Sequence, residues 1–174
     1  FNGNKIITSG GGGEVITNSK KIYKKVSNLV SNSKVPHKWE YIHNRVGYNY
    51  RMPNLNAALA SAQFDKLKKI LKIKKNIFKD YKKIFANYKE VIILNATKDS
   101  ISNNWLNTIV IKDNKINRDN FIKYLYNKKI FVRPIWKPLH TLKHLKKFPK
   151  MNLKITNKIY ETAISLPSGP GIIK

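Results

Sequence analysis

The chain opens Phe1-Asn2-Gly3-Asn4-Lys5-Ile6-Ile7-Thr8-Ser9-Gly10-Gly11-Gly12-Gly13-Glu14. One lysine stands in a Gly- and Asn-rich turn, just ahead of a run of glycines. Such a loop lets backbone approach a ligand closely and lets a side chain point into a pocket. A lysine amine forms Schiff bases with carbonyl compounds. By itself Lys5 reads as a solvent-exposed lysine. The glycine run reads either as a phosphate cradle or as a tight turn. Residues 6–8 and 14–17 predict two short strands around that turn, a hairpin.

Working outward, residues 19–31 repeat apolar side chains at helical spacing, with Asn18 as the expected N-cap. Residues 32–46 predict an irregular loop carrying Pro36, His37 and His43. Loops of that length are often functional. Pro53 suits a first helical turn. From there the apolar pattern predicts one very long helix, or two joined by a bend, ending near Tyr88. The small residues at 57–62 suit close packing against another helix or subunit. The pattern holds no strict heptad, which disfavours a coiled coil. After residue 90 the character changes. Residues 91–94, 105–111 and 130–132 predict strands. Residues 117–127 predict a helix capped by Asn117, and 154–164 a further helix. Alternating strands and helices indicate an α/β fold. The expected organisation is 1–66, a connecting helix over 67–90, and a small α/β domain over 91–174.

Hydrophobic content of 41% with 11% aromatics is ample for a core in 174 residues. No stretch approaches the length of a membrane span, so no membrane partner is expected. The opening residues are glycine-rich rather than basic and then apolar, unlike a signal peptide. The chain has no cysteine, which excludes disulfides and thiolate metal sites. A cytoplasmic location is the expectation. The formal net charge of +26 suggests either nucleic-acid binding or a compositional bias. Arginine occurs only at 45, 51, 118 and 133, and the lysines run from Lys5 to Lys174 among many Asn and Ile. That distribution favours a biased, solvated surface, and no nucleic-acid partner is expected.

The few acidic residues give no spacing for a catalytic carboxylate pair. His140 and His144 have the i, i+4 spacing of a metal pair if helical, but no acidic third ligand accompanies them. No metal is expected. Arg51 precedes the helix that Pro53 starts. An arginine there either clamps a carboxylate or phosphate through paired hydrogen bonds or ties down its loop. Phe131-Val132-Arg133-Pro134-Ile135-Trp136-Lys137-Pro138-Leu139-His140 reads as a strand and a rigid aromatic loop. It is either a surface for a sugar ring or a packed domain edge.

Taken together, these segments resemble the DegT/DnrJ/EryC1-type aminotransferases, which act on sugar nucleotides with pyridoxal phosphate. The resemblance rests on residues 1–14, on Trp39 to Leu59, on Asn103 to Ile111, on Arg133 to His140 and on Ser165 to Ser168. The matches occur in family order over nearly the whole chain. In detail they are most similar to the branch that aminates a 4-keto sugar nucleotide on the way to legionaminic-acid-type surface sugars.

The resemblance implies the C-terminal part of a fold-type I, aspartate aminotransferase-like structure: a remnant of the large domain plus the small domain. It implies that Lys5 holds pyridoxal 5'-phosphate as a Schiff base. A sister group of dehydratases carries histidine there, so lysine favours transamination. Asn49 and Arg51 match the segment that reaches the cofactor phosphate of the other subunit in a homodimer. Trp136 and His140 match the loop near the substrate. The implied partners are a keto sugar nucleotide and an amino-acid donor, glutamate. Family members are longer at the N-terminus, so the chain reads as a fragment, lacking most phosphate contacts and the usual final helix. Two other readings stand beside this one: a basic nucleic-acid-binding protein, and a non-catalytic remnant of the same fold.

Overall fold

Ser19 has an extended backbone, and its hydroxyl accepts the Ile22 N–H at 3.4 Å. It therefore starts α1 (Lys20–Val30) in the place expected of Asn18. The computed structural model describes residues 1–172. Within them the chain forms two compact units, Phe1–Leu67 and a second from Lys68 onward.

In the first unit the expected hairpin over 6–8 and 14–17 does not form; both segments are irregular. Side chains replace the ladder there, as described below. The loop after α1 contains a minimal antiparallel pair, β1 (Lys34–Val35) with β2 (Ile42–His43). Pro53 sits one position earlier than expected, as the cap of α2 (Asn54–Asp65), with φ −62° and ψ 148°. Its carbonyl accepts the Ala57 N–H at 3.0 Å.

After Lys66 the chain enters α3 (Leu67–Phe85). The second unit is a four-stranded sheet, antiparallel throughout, in the order β3-β4-β6-β5. The strands are β3 (Val91–Ile93), β4 (Asn107–Ile111), β5 (Arg133–Pro134) and β6 (Ala163–Leu166). Ile109 lies opposite Ile93 on one side and Ile164 on the other. Ile109, Ile111, Val132, Ile164 and Leu166 form the buried core. Tyr81 and Phe85 of α3, and Phe121, Ile122 and Leu125 of α4 (Arg118–Asn127), cover it. Asn117 caps α4 as expected, accepting the Asn120 N–H at 3.0 Å.

Two strands depart from expectation. The segment 130–132 is irregular and the ladder begins at Arg133. The Ile130 N–H is committed to the Leu125 carbonyl at 2.9 Å, closing α4, with Lys129 at φ +61°. The helix expected over 154–164 stops earlier, as α5 (Lys154–Thr162), and Ala163 opens β6. That strand is buried along its full length.

The exit of β6 is held by α3. Tyr81 donates to the Pro167 carbonyl at 2.8 Å, and Lys74 Nζ donates to the Ser168 carbonyl at 2.6 Å. Ser168 Oγ accepts from both the backbone and side-chain nitrogens of Asn107. Lys74 is only 3% exposed. Burial pushes its ammonium pKa below the ordinary lysine value and raises that of the Tyr81 phenol.

Candidate functional site

The Asn2 carbonyl accepts the Lys5 N–H at 3.0 Å and closes a turn that leaves Lys5 solvent-exposed. Asn2 Oδ1 takes the Gly3 N–H at 2.8 Å, an Asn side chain tightening its own turn. The next segment is pinned by hydroxyls. Thr8 Oγ1 donates to the Phe1 carbonyl and accepts the Gly10 N–H. Ser9 is fully buried; its N–H donates to the Phe1 carbonyl at 3.0 Å and its Oγ to the Gly11 carbonyl. The turn bearing Lys5 and the glycine run thus share one anchor, the Phe1–Asn2 backbone.

Gly10 and Gly12 have φ of +81° and +86°. That left-handed backbone is strained for any residue with a Cβ. The glycine run is therefore a loop of alternating handedness, of the kind that turns backbone amides toward an anion. Asn56 supports it from α2, donating through Nδ2 to the Ser9 carbonyl.

The facing wall is residues 47–51. Tyr48 and Tyr50 donate backbone N–H groups to the Leu29 and Val30 carbonyls at the end of α1. Asn32 returns a hydrogen bond to the Tyr48 carbonyl. Gly47 makes this approach possible: a Cβ there would lie 2.4 Å from backbone atoms of Asn32 and Ser33. Tyr48 and Tyr50 stack with centroids 5.3 Å apart.

Between the wall and the loop lies a concavity of about 520 Å³ lined by Gly10 to Gly13, Asn49, Arg51 and Asn56 among others. Arg51 is the one charged side chain in that lining. The structure so brings Asn49 and Arg51 to the glycine run. Lys5 is not part of that lining; it joins through the shared backbone anchor. Ser9 and Asn56 carry the geometry, yet sequence reasoning gave neither a role. A serine directly before glycines, and an amide in a helix's first turn, were the available signals.

Trp136 and His140 belong to the second unit. Trp136 is exposed and lies against Trp105, with ring centroids 5.7 Å apart. His140 Nε2 meets Asn157 Oδ1 of α5 at 2.9 Å. His140 and His144 sit on separate short 3-10 turns, broken at Leu142, whose ψ is 131°. The helical spacing that would pair them does not exist. Among the described residues no group of three acidic, His or Cys side chains could hold a metal. Nor, among the described residues, is any helix long and apolar enough to cross a membrane.

The model of the DegT/DnrJ/EryC1/StrS aminotransferase family matches residues 1–174. The chain is 36% identical over 176 residues to GDP-perosamine synthase of Vibrio cholerae, covering 99% of this chain and 47% of that protein. It is 32% identical over 173 residues to GDP-perosamine synthase of Escherichia coli O157:H7, covering 99% and 46%. Among solved structures, Helicobacter pylori PseC, an aminotransferase involved in pseudoaminic acid biosynthesis, superposes with a TM-score of 0.80 at 21% identity. That match covers 90% of this chain and 43% of PseC. The aminotransferase TlmJ from Streptoalloteichus hindustanus gives 0.83 at 16% identity, covering 94% and 44%. The fold is therefore part of an aminotransferase fold, and the chain spans less than half the length of these relatives.

Proposed function

Because the chain belongs to the DegT/DnrJ/EryC1/StrS aminotransferase family, we propose that the whole protein transfers an amino group to a keto sugar nucleotide. The acceptor in this reading is a 4-keto-6-deoxy sugar on a nucleoside diphosphate, and the donor is glutamate. The observation that carries it is Lys5, exposed on its closed turn beside the glycine run in a chain matched end to end.

The residues present fit pyridoxal phosphate. Its phosphate is an anion, and Asn49 and Arg51 offer an amide and a cation with no acid among the residues that line the same concavity. A Cβ at Gly12 would intrude on this space, 2.7 Å from Met52 Cε. When bound, the cofactor supplies an electron sink that stores the amino group between half-reactions. Lys5 Nζ would hold it covalently. Freed Nζ would move a proton between the donor α-carbon and the cofactor C4′ and, in the reverse sequence, between C4′ and the sugar carbon that receives nitrogen. Asn49 and Arg51 bind phosphate oxygens, across the subunit boundary of a homodimer. Trp136 and His140 orient the sugar. In this reading residues 1–66 belong to the cofactor-binding domain, 67–90 to a connecting helix and 91–174 to the small domain.

The test uses the full-length protein with Lys5→Ala. Borohydride reduction should then leave no cofactor bonded to the peptide spanning residues 1–20, whereas the unaltered protein carries it there. Cofactor still trapped on that peptide would overturn the assignment of Lys5.

A further inference from the structure

Asn32 and Ser33 have φ of +60° and +52°, two successive non-glycine residues in the left-handed region. The Lys34 N–H donates to the Ser31 carbonyl at 3.3 Å across them, in the manner of a type I′ turn. Glycine is the usual second residue of such a turn, and a serine Cβ makes the conformation costly. Backbone of this kind persists only where its surroundings over-determine it.

Here every backbone polar group of the pair is engaged. Asn32 donates its N–H to the Tyr48 carbonyl at 3.1 Å, and Ser33 donates its own to the Asn28 carbonyl at 2.8 Å. The Ser33 carbonyl accepts the Asn44 N–H, and Ser33 Oγ donates to the Val46 carbonyl, both at 3.3 Å. The Asn32 carbonyl is held by a side chain: His43 Nδ1 lies 2.7 Å from it. A carbonyl only accepts, so Nδ1 carries the hydrogen. The ladder of β1 and β2 brings His43 there, opposite Lys34. The other side of the turn is the wall of residues 47–51. Gly47 lies against the Asn32–Ser33 peptide, and Ser31 forms an antiparallel bridge with Asn49. Asn49 and Arg51 then line the concavity at the glycine run.

We propose that His43 is a positioning residue for the cofactor phosphate. Its bond to the Asn32 carbonyl keeps the strained turn closed, and the closed turn holds Asn49 and Arg51 at the concavity. Without that bond the carbonyl turns to water and the pair relaxes, taking the Tyr48 carbonyl with it. His43 acts through the turn and not by contact with the phosphate. The proposal rests on the reading of Asn49 and Arg51 as phosphate ligands.

The experiment is equilibrium titration of the full-length apoprotein with pyridoxal phosphate and, separately, with pyridoxal. His43→Ala should weaken pyridoxal phosphate binding roughly fivefold, the scale of one hydrogen bond. Pyridoxal binding should stay within about twofold, because a phosphate ligand out of place costs only the phosphate. His43→Asn should restore most of the loss, since an amide nitrogen can stand where Nδ1 stands. If His43→Ala does not fold, His43→Phe, a ring without the donor, takes its place with the same expectations. Equal weakening for both compounds, no weakening, or an asparagine variant no better than alanine overturns the proposal. Arg51→Ala separates the two levels. If it loses the preference for the phosphate compound while His43→Ala keeps it, the role of His43 alone falls. If Arg51→Ala also keeps the preference, the reading of the phosphate site falls, and the role of His43 with it.

Discussion

Asn56 Nδ2 donates to the Ser9 carbonyl at 2.5 Å, tying the first turn of α2 to the residue that opens the glycine run. The two are 47 residues apart in sequence. Ser9 is fully buried, so its carbonyl has no water to turn to if the amide is removed. Asn56→Ala is expected to cost about 1–3 kcal/mol, the usual penalty of orphaning a buried polar group. Urea unfolding of the full-length protein measures it. A change within about 0.5 kcal/mol, the scale of ordinary surface substitutions, would mean that the bond does not hold the loop.

Glycines 47, 12 and 11 should rank in that order when changed to alanine. A Cβ at Gly47 meets backbone at 2.4 Å, and backbone cannot step aside. Gly12 meets only the flexible end of Met52, so its cost is the left-handed backbone, about 1–2 kcal/mol. Gly11 has open space and no positive φ, and should be nearly neutral. Midpoints of chemical denaturation give the ranking, and a Gly11 variant less stable than the Gly47 variant would contradict it.

Arg51→Ala should weaken pyridoxal phosphate binding by the full-length protein about tenfold or more, the worth of a charged hydrogen bond. Binding of pyridoxal, which has no phosphate, should change little. Arg51→Lys should recover part of the loss, because lysine keeps the charge but not the paired geometry. Equal weakening for both compounds would show that Arg51 merely braces its loop.

Lys74 and Tyr81 should bend the alkaline stability profile in opposite senses. The Lys74 pKa is lowered by burial from 10.5, so the unfolded chain holds more protons between the two values. Its contribution is complete above pH 10.5 and is lost as pH falls through the depressed folded value. Stability should rise with pH across that window, and Lys74→Met should flatten the rise. The Tyr81 pKa is raised from 10.0, also by burial. Its contribution is complete below pH 10.0 and is lost as pH climbs through the raised folded value. Tyr81→Phe should remove that fall. Denaturation midpoints across pH 7 to beyond 10.5 read both effects, and parallel profiles for all three proteins would refute them.

Much of the second unit was legible because its signals are local. Asn117 caps α4 as its position before an amphipathic run predicts. The strand over β4 shows as β-branched residues after a turn. β6 was missed because it is buried throughout, so Ala163-Ile164-Ser165-Leu166 shows no alternation and simply extends the helical pattern before it. The hairpin expected around the glycines failed for the opposite reason. Thr8 and Ser9 satisfy the backbone there with their own hydroxyls, and competition of that kind leaves no trace in apolar periodicity. Of the candidate site, Arg51 was visible beside a helix start, and Asn49 only through the family resemblance. The contribution of Asn56 depends on a contact that only the folded chain creates.

The strand order β3-β4-β6-β5 has a consequence for how the chain is made. β3 and β4 are neighbours in sequence and can pair as soon as both have left the ribosome. β5 cannot: among the described residues its only partner is β6, which is translated about thirty residues later. Until then β5 and one edge of β4 wait unpaired, exposing ladder groups to other nascent chains. Any pause that delays β6 after β5 has emerged would therefore prolong that exposure.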